Sequence, residues 1–116
     1  MTIRYKNQGY KQADTNLNTV LTCPTDATII IRSIYCANIS FASAILVNMS
    51  LVDSSDSSTE YEFFRDDVAA KTQVNATPQP LNLEAGDIIK IQAATASNKI
   101  QGVINYALID RSQENG

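Results

Sequence analysis

Histidine is absent from the chain, and with it go the imidazole general bases, the nucleophilic triads and the metal sites built on a ring nitrogen. Tryptophan is absent too, which removes the commonest aromatic platform of a carbohydrate-binding face. Glycine occurs at only four positions, 9, 86, 102 and 116, too scattered to write a phosphate-cradling loop or a dinucleotide fingerprint. No apolar run approaches the roughly 18 residues of a membrane span. Residues 1–16 hold no apolar stretch suited to a signal peptide, so the expected address is the cytoplasm of the cell that makes the protein, with no membrane partner. Cysteine occurs twice, as Cys23 and Cys36. Two thiols without histidine make neither a disulfide scaffold nor a structural zinc site, and both are expected to stay reduced.

What is present points to one folded domain. A length of 116 residues suffices for a single core. With 44% hydrophobic and 18% charged residues, the composition is not that of a disordered chain. The net charge of −3 is unevenly spread: residues 1–12 carry Arg4, Lys6 and Lys11 and no acid, which leaves 6 basic against 12 acidic residues in the remainder, or −6. So acidic a body excludes nucleic acid as the main partner, because phosphate contacts need a concentrated basic surface.

Beyond residue 17 the apolar residues alternate with polar ones at the period of a half-buried strand: Ile45, Val47, Met49 and Leu51; Ile89, Ile91 and Ala93; Ile100, Gly102, Ile104, Tyr106 and Leu108. Further strands are expected at 17–23, 27–39, 59–65, 71–77 and 80–83, where β-branched and aromatic residues gather. The consecutive Ile29, Ile30 and Ile31 break the alternation and indicate a strand covered on both faces, at the centre of the fold or against another subunit. Turn-forming clusters separate the strands, and Gly86 is expected at positive φ within Ala85-Gly86-Asp87. No long helix is indicated. The expected fold is all-β, a single-domain β-sandwich or jelly roll of about seven or eight antiparallel strands. It divides into an extended N-terminal arm outside the sandwich at residues 1–16, the sandwich at 17–111 and a short polar tail at 112–116.

Chemistry-bearing clusters are few. Glu60 and Glu62 alternate with Tyr61 and Phe63, which reads as a solvated face backed by a buried one. Asp66 and Asp67 follow Arg65 at the expected end of that strand, where a turn or a subunit contact fits better than a catalytic pair. Asp53, Asp56 and Glu60 offer carboxylates along one loop, without the glycine and spacing of a calcium-binding hand. Three glycosylation-type triplets begin at Asn38, Asn48 and Asn75, and without a secretory signal they carry little meaning. No catalytic, metal-binding or cofactor-binding residue is expected, and the chain reads as a non-enzyme. The basic arm, with Tyr5 and Tyr10 among its cations, reads as a mobile tail, a strap against a neighbouring subunit or a nucleic-acid contact.

Several stretches resemble small virion proteins of tailed bacteriophages, notably those of cyanobacterial and marine phages. They are Lys11-Gln12-Ala13-Asp14-Thr15-Asn16-Leu17, Val20-Leu21-Thr22-Cys23-Pro24, Ile30-Ile31-Arg32-Ser33-Ile34-Tyr35-Cys36-Ala37-Asn38, Val47-Asn48-Met49-Ser50-Leu51-Val52-Asp53-Ser54-Ser55, and Pro80-Leu81-Asn82-Leu83-Glu84-Ala85-Gly86-Asp87-Ile88-Ile89-Lys90-Ile91-Gln92-Ala93. Together they span most of residues 11–110. The resemblance implies a capsid cement (decoration) protein on the head exterior, or else a tail, neck or fibre component. Its partner would be the major capsid protein or another virion protein, and its state a homo-oligomer, with a trimer favoured. A carbohydrate-binding sandwich is the remaining alternative. The residues expected to make subunit or capsid contacts are Arg4, Tyr5, Lys6 and Tyr10 in the arm, with Asp53, Asp56, Arg65, Asp66 and Asp67 in the loops, since binding concentrates on termini and loops around a rigid sandwich.

Overall fold

A computed structural model describes residues 2–95 and 97–111. The described residues form nine strands: β1 (Thr2–Lys11), β2 (Asn18–Thr22), β3 (Ala27–Asn38), β4 (Ile45–Asp53), β5 (Thr59–Val68), β6 (Thr72–Asn75), β7 (Leu81–Leu83), β8 (Ile88–Ala93) and β9 (Ile100–Asp110). A single 3₁₀ turn at Ser54–Asp56 follows β4. The expected tail at 112–116 lies outside the described residues. Gly86 has φ +84°, as the turn before β8 requires.

The strands lie in two sheets, ordered β1-β9-β3-β6 with β7 also on β3, and β2-β8-β4-β5. β6 and β7 follow one another along the same side of β3, opposite Tyr35–Asn38 and Ile29–Ile31, and together they fill one strand position. The pairings then read as one long hairpin folded about the β4–β5 turn: β4 on β5, β3 on β6 and β7, β2 on β8, β1 on β9. Rolling that hairpin adds β3 on β9 and β4 on β8, which closes the two sheets over one core. This eight-position arrangement is a jelly roll.

The expected N-terminal arm is therefore corrected. Residues 2–11 pair with β9 along their whole length, from Thr2 opposite Asp110 to Lys11 opposite Gln101, and form the first strand of the roll. An outer strand needs backbone partners on one side only, and Thr2, Arg4, Lys6 and Gln8, on the same side of β1 as Tyr10, stay exposed. Tyr10 alone enters the core, at 8% exposure. Its ring lies over Gly102, and its hydroxyl donates to the Tyr35 carbonyl of β3 at 2.7 Å. A side chain at Gly102 would collide with that carbonyl and with the ring, so the glycine is what lets Tyr10 lock β1 to the second strand beyond it.

The core sits between the sheets. Ile29, Ile31, Ile34, Ile104 and Leu108 face Val47, Met49, Ile89, Ile91 and Val68, all buried. Burying an Ile, Val or Met side chain contributes about 1.5–3 kcal/mol. Of the isoleucine run, Ile29 and Ile31 are in the core, whereas Ile30 is half-buried on the outer face beside Ala107. Cys36 lies in β3 and Cys23 just past β2; both are free, buried thiols. Two polar groups pin the ends of the roll. Gln12 Nε2 donates to the Ile91 carbonyl at 3.0 Å and bridges the sheets where the chain leaves β1. The buried Asp87 carboxylate accepts from the amides of Ser54 and Glu84 at 3.0 and 2.8 Å, which ties the loop after β4 to the turn before β8.

Candidate functional site

Side-chain alternation gives the two outer faces opposite characters. On the four-stranded sheet, β5 and β8 present Glu60, Glu62, Arg65, Asp67 and Lys90. Arg65 Nε meets Glu62 Oε1 at 2.5 Å; this pairing holds the Glu62 carboxyl below its usual range and raises the Arg65 guanidinium. On the five-stranded sheet, the registers bring Ile3, Tyr5, Asn7, Gly9 and Lys11 of β1 beside Ile109, Ala107, Asn105, Val103 and Gln101 of β9, with Ile30, Ser33, Tyr35 and Ala37 of β3 next in line. Among the described residues this face carries no carboxylate, and its cations are Lys11 and Arg32.

The second face is also sculpted. The register of β3 against β9 shifts between Ile31 and Ser33, leaving Arg32 outside the ladder. Its guanidinium lies over the ring of Tyr5, 5.4 Å from the centroid. Asn7, Asn105 and Ser33 then form one row across three strands, with Asn105 Nδ2 donating to Ser33 Oγ at 3.0 Å. Tyr5, Lys6, Arg32, Tyr35 and Asn75 surround that row in a basin of about 530 Å³. Beyond Tyr35 an apolar trough of about 600 Å³ opens above Gly9, between Val103, Ala37 and Ile39.

The expected contact residues do not form one site. Arg4, Tyr5 and Lys6 are exposed on β1. Tyr10 is a core residue, which corrects its reading as a surface contact; the pattern of alternating residues could not show that its ring finds room over Gly102. The Asp53 carboxylate accepts from the Ser55 amide at 3.1 Å and caps the 3₁₀ turn, while Asp56 accepts from the Tyr61 hydroxyl. Those two carboxylates are engaged with separate partners. Arg65, Asp66 and Asp67 lie within β5, which runs on to Val68, so Asp66 and Asp67 project to opposite sides of the strand. Tyr61 is 50% exposed, correcting the buried face expected for it. A bulge sets Met49 opposite Phe64 and Ser50 opposite Glu62, so Phe63 is the extra residue, both phenylalanines are half-buried, and Tyr61 falls beyond the core next to the loop.

Asn38 and Asn75 of the glycosylation-type triplets serve the fold. Asn38 Nδ2 donates to the carbonyls of Ser43 and Val68, and Asn75 Oδ1 accepts from the amides of Ile34 and Thr77. Among the described residues no group of three or more cysteine or carboxylate side chains is placed to hold a metal ion. The row of Asn7, Asn105 and Ser33 was not foreseen; the available signal was polar asparagine at positions of β1 and β9 that register sets side by side.

No protein-family model matches the sequence, and no curated protein matches it. Solved structures do match the fold. A chain of the acid-stable capsid of Helicobacter pylori bacteriophage KHP30 superposes with a TM-score of 0.60 at 12% identity, over 97% of this chain and 90% of that one. A chain from the Bacillus endospore appendages, described as disulfide-linked pili, superposes with a TM-score of 0.51 at 11% identity, over 95% of this chain and 88% of that one. At such identities the likeness is one of fold.

Proposed function

We propose that the chain is a virion structural protein, most directly a capsid cement protein that binds the outside of a phage head and stabilises the shell. The observation that carries this reading is the near-complete overlap with a chain of a phage capsid structure, over 97% of this chain and 90% of that one. A whole-chain match of similar size supports a building unit of the same kind, and the resemblance of several sequence blocks to small phage virion proteins supports the same reading. The chain would work as a homo-oligomer, a trimer for preference, gripping the major capsid protein through the exposed flank of β1 at Arg4 and Lys6 and through the carboxylates of Asp53 at the end of β4 and Asp66 and Asp67 in β5. Binding that occurs only on the closed lattice stabilises that lattice by linkage, against the pressure of packaged DNA. Purified protein added to shells lacking it is expected to co-sediment with them and raise the temperature at which they release DNA. Shells that neither bind it nor gain heat resistance would refute the cement role.

A second reading is a tail, neck or fibre component. The similarity in fold to a chain of the Bacillus endospore appendages, which form disulfide-linked pili, favours it. Labelling of particles at the tail or at one vertex alone would select it.

A further inference from the structure

From the outer face of the five-stranded sheet we infer a second, independent activity: the basin between Tyr5 and Tyr35 binds an acidic polysaccharide, one whose pyranose rings carry carboxylates. The floor of the basin is the row Asn7, Asn105 and Ser33. Each side-chain amide offers a donor and an acceptor a short distance apart, which is what the adjacent hydroxyls of a sugar ring require. Asn105 spends one amide hydrogen on Ser33, and that bond fixes its orientation while its carbonyl oxygen stays available. The walls are aromatic. Tyr5 is 74% exposed and Tyr35 41% exposed, so each presents a ring to solvent against which the C–H face of a pyranose can stack.

Charge selects among sugars. Arg32 is the cation of this face at the basin, Lys6 lines the β1 rim with a side chain that alternation turns to the other side of the strand, and no carboxylate lines it. The guanidinium of Arg32, 5.4 Å from the centroid of the Tyr5 ring, has a planar donor edge suited to a carboxylate. A volume of about 530 Å³ lies within the usual range for small-molecule sites, and the adjoining apolar trough past Tyr35 extends the surface for a chain of rings. A nucleic acid is disfavoured, since so few cations in a chain of net charge −3 are a poor match for a phosphate backbone. Mounted on an exposed virion protein, such a face would hold a particle to polysaccharide-coated surfaces, but the binding itself does not depend on that setting.

The test uses the free full-length protein with four probes: oligogalacturonate, oligoguluronate, the neutral maltohexaose and oligo-dT. Amide shifts by NMR locate the site and titration gives the affinity. One or both uronate oligomers are expected to bind with shifts centred on Asn7, Ser33 and Asn105, about tenfold or more tighter than maltohexaose. Arg32→Ala is expected to erase that preference, and Asn105→Ala or Tyr35→Ala to weaken binding by about tenfold or more, with melting temperature as the control for folding. The inference fails if no uronate binds, if maltohexaose binds equally well, if oligo-dT binds more tightly, if the shifts map elsewhere, or if the face is covered by self-association at the concentrations used. Because no particle takes part, failure here is separable from failure of the virion reading.

Discussion

Replacing Tyr10 tests whether the N-terminal segment is a strand of the roll or an appendage to it. Tyr10 is only 8% exposed, and its hydroxyl donates to the Tyr35 carbonyl at 2.7 Å. Tyr10→Ala removes a buried aromatic side chain and leaves a void over Gly102, for an expected loss of about 3–5 kcal/mol. Tyr10→Phe keeps the ring but leaves a part-buried carbonyl without its donor, for an expected loss of about 1–2 kcal/mol. In a domain of this size each kcal/mol moves the melting temperature by about 4–6 °C. The alanine variant should therefore melt about 12 °C or more below the parent, and the phenylalanine variant about 5–10 °C below it, by calorimetry or circular dichroism. An undocked segment would make both substitutions silent. A shift under about 2 °C for Tyr10→Ala would refute the assignment of residues 2–11 to the sheet.

Other outcomes follow from the same structure. Gly102→Ala drives a methyl group into the Tyr35 carbonyl and the Tyr10 ring, and should cost about 2–3 kcal/mol in a denaturant titration; a neutral result would contradict the close packing described. Asp87→Ala strands the amides of Ser54 and Glu84 and should cost about 2–4 kcal/mol, with Asp87→Asn recovering part of it. Burial pushes the Tyr10 hydroxyl and the Cys36 thiol up from ordinary values of 10.0 and 9.0. For groups raised on folding, the stabilisation is complete below the unfolded pKa and declines as pH rises above it, because the unfolded chain loses its proton first. Stability should thus be flat to about pH 9 and then fall by up to about 1.4 kcal/mol per pH unit per group, and a melting profile level to about pH 11 would contradict this.

The strands β4, β8 and β9 were legible because each buries one face, and period-two alternation reports one-sided burial directly. β1 was not, because both sides of an outer strand can stay in water; nine of its ten residues are exposed, so it looks like an arm in sequence. Jelly-roll order is a matter of pairing between distant segments, and nothing in Thr2–Lys11 names β9 as its partner. Bulges defeated the finer reading: one at Phe63 sets Phe64, not Phe63, opposite Met49, and one at Arg32 leaves that residue outside the ladder with its guanidinium over Tyr5. The amide and hydroxyl row of Asn7, Ser33 and Asn105 was not legible, since its members are gathered from three strands by register alone.

The central claim is that this jelly roll is a building component of a phage particle. Immunogold labelling of purified phage particles with an antibody to this chain, followed by image reconstruction of the head, tests this most directly. The account predicts label spread over the head exterior and a jelly roll seated on the capsid lattice. Particles that carry no label on head, neck or tail would contradict it.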